Sequence, residues 1–86
     1  METINIKTSR DIEFINITGQ VQKIIDESDV ENGVCYLYVP HTTAAITINE
    51  GADPAVVQDI IEQLNKTAPK FGRYHHLEGN AHAHIK

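Results

Sequence analysis

The chain contains one cysteine, no tryptophan and no long apolar run. With Cys35 alone, no disulfide can form within the chain, which is typical of proteins kept in a reducing compartment. No apolar stretch approaches the roughly 18 residues that a membrane-spanning helix needs. The N-terminal residues METINIKTSR lack the apolar centre of a secretory signal peptide. These shortages predict a cytoplasmic location.

Basic side chains are also few, because seven Lys and Arg face twelve Asp and Glu, for a net charge of −5. A surface that binds nucleic acid neutralises phosphates with Lys and Arg, so this balance argues against nucleic acid as the main partner. The simplest alternative interpretation is that the charge keeps the chain in solution. The length of 86 residues predicts one domain, residues 1–86, with a small core.

Four short segments have the composition of β-strands. Residues 2–8 and 11–17 alternate apolar and polar side chains, as half-buried strands do. Residues 34–39, VCYLYV, are apolar throughout, which predicts a strand buried on both faces, and its tyrosines are expected in the core or an interface. Cys35 within it is expected to be a buried small hydrophobe rather than a nucleophile. Residues 44–49 predict a shorter strand.

Two segments have helical patterns. Thr18 is a candidate N-cap for a helix over residues 19–28, whose apolar side chains recur at helical spacing. Asp53 followed by Pro54 is a typical helix start, and apolar residues then repeat at i, i+1, i+4, i+5 and i+8. The sequence therefore predicts a second helix over residues 54–67.

The predicted order is β-β-α-β-β-α followed by a histidine-rich segment. Short strands that outnumber the helices favour an α+β or mainly β fold, a β-sandwich with the two helices packed outside. Four strands and two helices leave at least one sheet face poorly covered. We therefore expect oligomerisation, an incomplete domain, or both.

Histidines are concentrated near the end of the sequence, in YHHLEGNAHAH. On an extended backbone His82 and His84 would share a face, since alternate residues do. Neutral imidazole is a good zinc ligand, and three histidines with a vacant fourth position suit catalytic zinc. His41 could complete such a set. The alternative is that these are surface residues which bind metal only opportunistically.

The stretch HTTAAITINE begins where a predicted strand ends, a common position for functional residues. Thr42 and Thr43 offer hydroxyls and amides to an oxyanion, or are ordinary strand residues. Glu50 is a candidate general base, a second residue that orients a histidine ligand, or a solvated turn residue.

Two polar residues near the C-terminus are further candidates. Asn80 follows Gly79, so it marks a turn or hydrogen-bonds a ligand. Lys86 is a candidate phosphate contact or a solvated side chain.

Four stretches, HTTAAITINE, DPAVVQDI, RYHH and GNAHAHIK, occur in an order and spacing that resemble the YjbQ-type family, also described as secondary thiamine-phosphate synthases. The resemblance implies a β-sandwich with outer helices, assembled as a homotrimer with sites near subunit interfaces. It also implies a transferase that joins a pyrimidine diphosphate to a thiazole phosphate and releases diphosphate. The expected ligand is thus a small phosphorylated substrate.

The resemblance also implies residue roles. It implies a divalent metal, with zinc the first candidate, held by His41, His76 and His84. The candidate catalytic residues are His41, Glu50 and Asn80. The candidate substrate-binding residues are Thr42, Thr43, Asn49 and Lys86.

The chain departs from the family pattern in two respects. His82 stands where the family has aspartate, which would add a ligand or alter how its neighbours are held. Family members also continue beyond the last motif, so the chain is expected to be the N-terminal portion of the family domain. Two other functions remain open, a non-catalytic metal-binding or assembly module and an inactive fragment of the family fold.

Overall fold

The computed structural model describes all of residues 1–86 and contains three helices. They are α1 (Thr18–Glu27), α2 (Pro54–Thr67) and α3 (Ala81–Ile85). None of the three is long and apolar enough to cross a membrane. The chain divides into two compact units, Met1–Tyr36 and Leu37–Lys86, which are described separately.

The first unit contains α1, and the predicted helix over 19–28 is confirmed with a shift of one residue at each end. The predicted N-cap is wrong, since Ile17 occupies that position and no side chain caps the helix. Thr18 is instead the first helical residue, and its amide donates to Asn16 Oδ1 at 3.0 Å. Asn16 thus satisfies the first amide of the helix, and no side chain caps the amides that follow.

Before α1, the carboxylate of Glu13 accepts hydrogen bonds from Ser9. The Ser9 amide donates to Glu13 Oε2 at 2.8 Å and the Ser9 hydroxyl to Oε1 at 3.2 Å. The hydrogen bond from the Ser9 amide is the main cause that lowers the pKa of Glu13 below its ordinary value. Because the pKa of Glu13 is lower in the folded state than in the unfolded state, its carboxylate stabilises the fold at any pH above the unfolded-state pKa. This stabilisation is lost as the pH falls through the folded-state pKa.

We therefore expect Glu13→Gln to weaken this unit at neutral pH and to have no effect once the carboxyl is protonated in acid. Glu31→Gln is the matched control, because Glu31 is exposed in the same unit and accepts no such bonds. Unfolding followed by circular dichroism, repeated from neutral to acid pH, measures the stability of both variants. An acid-range pH dependence in Glu13→Gln as steep as in the parent chain would contradict this account.

The second unit contains α2, and the prediction of residues 54–67 is confirmed in full. Asp53 Oδ1 accepts from the Ala55 amide at 2.9 Å, and Pro54 occupies the first turn, where its missing N–H costs nothing. Lys66 lies in the last turn, beside the negative end of the helix dipole. The predicted apolar stripe is half-buried along its length, at Val56, Val57, Ile60, Ile61 and Leu64.

The predicted β-sandwich is wrong for this chain, because none of the four predicted strands is paired. Backbone hydrogen bonds outside the helices occur only at helix ends and at the turn after α2. A β-ladder requires donors and acceptors on a neighbouring strand, and residues 2–8, 11–17, 34–39 and 44–49 have none.

The exposure of the side chains also contradicts the predicted β-sandwich. Only Ala68 and Ala81 are buried, whereas Tyr36 and Tyr38 are 89% and 85% exposed. Cys35, expected to be buried, is exposed as well. The apolar run 34–39 is therefore uncovered rather than enclosed between two layers.

Candidate functional site

The candidate site lies in the C-terminal part of the second unit, residues 70–86, which we call the tail segment. It begins with a turn after α2, in which the Gly72 amide donates to the Pro69 carbonyl at 3.2 Å. The Tyr74 hydroxyl donates to the same carbonyl. A Cβ on Gly72 would lie 2.7 Å from Tyr74 Cζ, so glycine is required for this close approach. This turn immediately precedes His75 and His76 and thus sets the position from which they follow.

A second turn, at 77–79, leads into α3. Gly79 has a φ of 77°, a left-handed conformation that glycine adopts without strain. Asn80 occupies the N-cap position of α3, although its side chain makes no capping bond. The turn reverses the chain so that α3 returns toward the residues preceding it.

The helix corrects the prediction that His82 and His84 share a face. Residues two apart on a helix point about 200° apart, whereas on a strand they would point the same way. The two side chains therefore diverge. His84 meets His76 instead, with ring centroids 4.8 Å apart and planes tilted by 54°.

Both rings of the pair His76 and His84 are exposed, whereas His82 is half-buried. The Nδ1 atom of His82 and the Oδ1 atom of Asn80 are both buried without a hydrogen-bond partner. The side-chain oxygen of Asn80 is therefore not open to a ligand in this conformation. The candidate catalytic role of Asn80 stays a prediction.

Sequence reasoning missed Asn65, which lies in the last part of α2. Its Oδ1 accepts from Lys86 Nζ at 2.7 Å, a bond between residues 21 apart in the sequence. The bond ties the end of the tail segment to α2. An ammonium group has three donors, so Lys86 keeps two for a ligand.

The residues around His41 form a separate exposed stretch of the same unit. Thr42 and Thr43 form a turn directly after His41. Asn49 Oδ1 accepts from the Glu50 amide at 2.8 Å, a local bond that occupies this oxygen. The predicted substrate-binding and catalytic roles of these five residues are not tested by any contact with a ligand and stay predictions.

The predicted zinc centre and histidine cluster are wrong for the fold described here. Across residues 1–86, no three His, Cys, Asp or Glu side chains lie close enough to hold a metal ion. His76 and His84 form a pair, and His41 does not join it as a third ligand. Catalytic zinc takes three protein ligands, so the residues present do not fit it. A divalent cofactor of another kind stays a prediction.

Charge is distributed unevenly between the tail segment and the rest of the chain. The tail segment has three basic side chains and one acidic one, a formal charge of +2 besides four histidines. Residues 1–69 have four basic and eleven acidic side chains, a formal charge of −7. The histidine pair therefore lies in a cationic part of an acidic chain.

Comparison with known proteins identifies a crystal structure with a similar fold. A crystal structure of a YjbQ/UPF0047-family protein from Clostridium acetobutylicum, described as uncharacterized, matches with a TM-score of 0.82 and 55% sequence identity. The match covers 93% of this chain and 62% of that one. The chain therefore shares its fold with part of a longer family member whose structure was determined by crystallography.

The family model "UPF0047 protein YjbQ-like" matches residues 2–86, and the chain belongs to this family. It is 52% identical over 81 residues to UPF0047 protein MJ1081 of Methanocaldococcus jannaschii, covering 94% of this chain and 59% of the relative. It is 40% identical over 87 residues to YugU of Bacillus subtilis, covering 100% of this chain and 66% of the relative. The chain thus spans about three fifths to two thirds of the length of these relatives.

The comparisons overturn the predicted thiamine-phosphate synthase activity. The relatives are named only as UPF0047 proteins, and none of these names states a substrate or a reaction. The metal-dependent mechanism also loses its basis, because the three histidines do not converge. Family membership is confirmed, and the function inferred with it is not.

Proposed function

We propose that the chain binds a small phosphorylated ligand through its tail segment, and that it does so in the cytoplasm. The observation that supports the proposal is the cationic tail segment of an otherwise acidic chain. The proposal concerns binding, since the structure brings together no nucleophile and base that would indicate a reaction. It is made for this chain and not for the longer relatives.

Electrostatics favours the tail segment over the other surfaces. Phosphate oxygens accept charge-assisted hydrogen bonds from ammonium, guanidinium and imidazolium groups, which are stronger than bonds between neutral groups. Lys70, Arg73 and Lys86 supply the permanent charges, and Glu78 is the only acidic side chain among them. Residues 1–69 have eleven carboxylates against four basic side chains, so on balance they repel an anion.

Geometry supports the same segment. His76 and His84 are both exposed with their rings in contact, so their ring N–H groups are open to solvent at one place. Lys86, in the same tail segment, is restrained by its hydrogen bond to Asn65. A cation already held in place loses less conformational entropy when a ligand binds.

Calorimetric titration of the whole chain with inorganic phosphate and with pyrophosphate tests the proposal. Replacing both His76 and His84 by alanine is expected to lower pyrophosphate affinity roughly tenfold or more, because a hydrogen bond to a charged group contributes about 1.5–3 kcal/mol. Binding is also expected to weaken as salt increases, since the attraction between exposed charges is screened.

The matched control replaces Tyr36 and Tyr38 by alanine, which also removes two exposed aromatic side chains but leaves the tail segment and its histidine pair intact. We expect its affinity to stay within about twofold of the parent chain, well below the tenfold loss of the test variant. If the control loses as much affinity as the test variant, the ligand does not bind at the pair. If the parent chain binds neither anion, the proposed function is wrong.

A further inference from the structure

The first unit contains an Asn-Gly dipeptide, Asn32 and Gly33, between the end of α1 and the apolar run 34–39. Asn32 is the only one of the six asparagines in the chain that glycine follows. Both residues are exposed, and Asn32 lies in a bend of the backbone outside any helix. Asparagine and glycine favour such connections because they adopt backbone conformations that other residues avoid. The dipeptide is therefore both accessible and free of helical restraint.

An asparagine side chain can react with the peptide nitrogen of the residue that follows it. The nitrogen of Gly33 loses its proton to water or hydroxide and forms a bond to the side-chain carbonyl carbon of Asn32, and the carboxamide nitrogen leaves as ammonia. Water then opens the cyclic imide at one of its two carbonyls, which gives aspartate or isoaspartate. Glycine favours the ring closure because it has no Cβ beside the attacking nitrogen and because its backbone is the least restricted. Water is the only co-reactant.

The other five asparagines are in surroundings that oppose the same reaction. Three of them have side-chain oxygens that accept hydrogen bonds within the chain: Asn16, Asn49 and Asn65. The side-chain oxygen of Asn80 is buried. Asn5 is exposed, but a β-branched isoleucine follows it and crowds the attacking nitrogen. Reactivity is thus expected to be concentrated at Asn32.

We propose that Asn32 is a site of spontaneous deamidation in the folded chain, which converts it to a mixture of aspartate and isoaspartate. Either product adds a carboxylate directly after a stretch that already has four acidic side chains, Asp26, Glu27, Asp29 and Glu31. Isoaspartate also lengthens the backbone, because the peptide bond to Gly33 then runs through the side-chain carbon. The modification therefore changes both the charge and the length of the connection that leaves α1. It does not depend on the ligand proposed for the tail segment.

Incubation of the whole chain at neutral and mildly alkaline pH, followed by peptide mapping with mass spectrometry, tests the proposal. Reductant is present because Cys35 is exposed close to the site. We expect the mass change from carboxamide to carboxyl to accumulate in the peptide that contains Asn32. The rate is expected to rise with pH, since the attacking nitrogen must lose a proton. Enzymatic methylation of isoaspartyl carboxyl groups distinguishes isoaspartate from aspartate in the product.

Gly33→Ala is expected to slow the reaction at Asn32 roughly tenfold or more, which corresponds to about 1.4 kcal/mol in the activation barrier. The added Cβ would lie 3.0 Å from Val30 Cγ1, so the valine side chain must shift slightly, and the helical signal in circular dichroism reports whether the variant is folded. Gly19→Ala is the matched control, because it adds a methyl group in open space within the same unit. It is expected to leave the rate within about twofold of the parent chain, a small part of the tenfold effect.

A second variant and an unfolded reference test the site independently of Gly33. Asn32→Gln lengthens the side chain and disfavours ring closure, so the modification should be lost from this position while Gly33 is retained. The parent chain unfolded in guanidinium chloride gives the rate without the fold. If Asn32 deamidates in the unfolded chain and stays intact in the folded one, the inference is overturned. Equal rates in the two alanine variants, or equally fast modification of another asparagine, overturn it as well.

Discussion

Replacing Lys86 by glutamate is expected to lower the affinity of the chain for pyrophosphate by roughly tenfold or more. The change removes a charge-assisted donor, which contributes about 1.5–3 kcal/mol, and each 1.4 kcal/mol corresponds to tenfold in affinity. It also lowers the formal charge of the tail segment from +2 to zero. Calorimetric titration at low salt, where exposed charges are least screened, gives the clearest measurement.

Two further variants separate the possible causes of that loss. Lys23→Glu changes the net charge of the chain by the same amount and leaves the charge of the tail segment unchanged. Asn65→Ala keeps the ammonium group and removes only its restraint, the 2.7 Å bond from Lys86, so a smaller loss is expected. If Lys23→Glu weakens binding as much as Lys86→Glu, net charge rather than the tail segment governs affinity.

Replacing Gly79 by alanine is expected to disrupt the turn before α3 and to separate His76 from His84. Its φ of 77° costs an L-residue roughly 1–2 kcal/mol, which is large for a turn that leads into a helix of only five residues. Nothing lies within 4 Å of an added Cβ, so the cost comes from backbone conformation rather than from a clash. Nuclear Overhauser effects between the two rings should weaken as the population of the intact turn falls.

Gly19→Ala is the matched control, because it also adds one methyl group in open space. Gly19 lies inside α1, where alanine is favoured over glycine, so this variant should gain up to about 0.5–1 kcal/mol of helix stability. The same substitution should therefore have opposite effects at the two positions. Retention of the ring contact in Gly79→Ala would contradict the role given to the left-handed turn.

The second helix could be predicted from sequence to the residue because its determinants are local. Asp53 and Pro54 define its start, and the apolar stripe defines its length and buried face. The N-cap of α1 could not be predicted equally well, since Ile17 occupies it without a side-chain hydrogen bond and Asn16 accepts from the Thr18 amide instead. Local hydrogen-bonding alternatives of this kind shift helix ends by one or two residues.

The strands show where local pattern is insufficient. Alternation over residues 2–8 and β-branched residues over 34–39 favour an extended backbone, but neither specifies a partner strand. Pairing depends on groups distant in the sequence, and the described chain supplies none. The patterns therefore could not establish the β-sandwich, which depends on pairing that they do not specify.

The candidate site was predicted in part. The concentration of histidines pointed to the tail segment, but reading AHAH as a strand placed His82 and His84 on one face. The helical alternative was visible in the sequence, because Ala81 and Ala83 have the highest helix propensity and follow a Gly-Asn turn. Asn65 could not have been found, since nothing local connects it to Lys86 across 21 residues.

The absence of tryptophan leaves three tyrosines as the only strong intrinsic chromophores in the near ultraviolet. Tyr36 and Tyr38 are solvated, whereas Tyr74 is half-buried against Gly72 and is bonded to the Pro69 carbonyl. Only Tyr74 therefore sits in a fixed asymmetric environment. Near-ultraviolet circular dichroism of the unlabelled protein should consequently report whether the turn that precedes the histidine pair is formed.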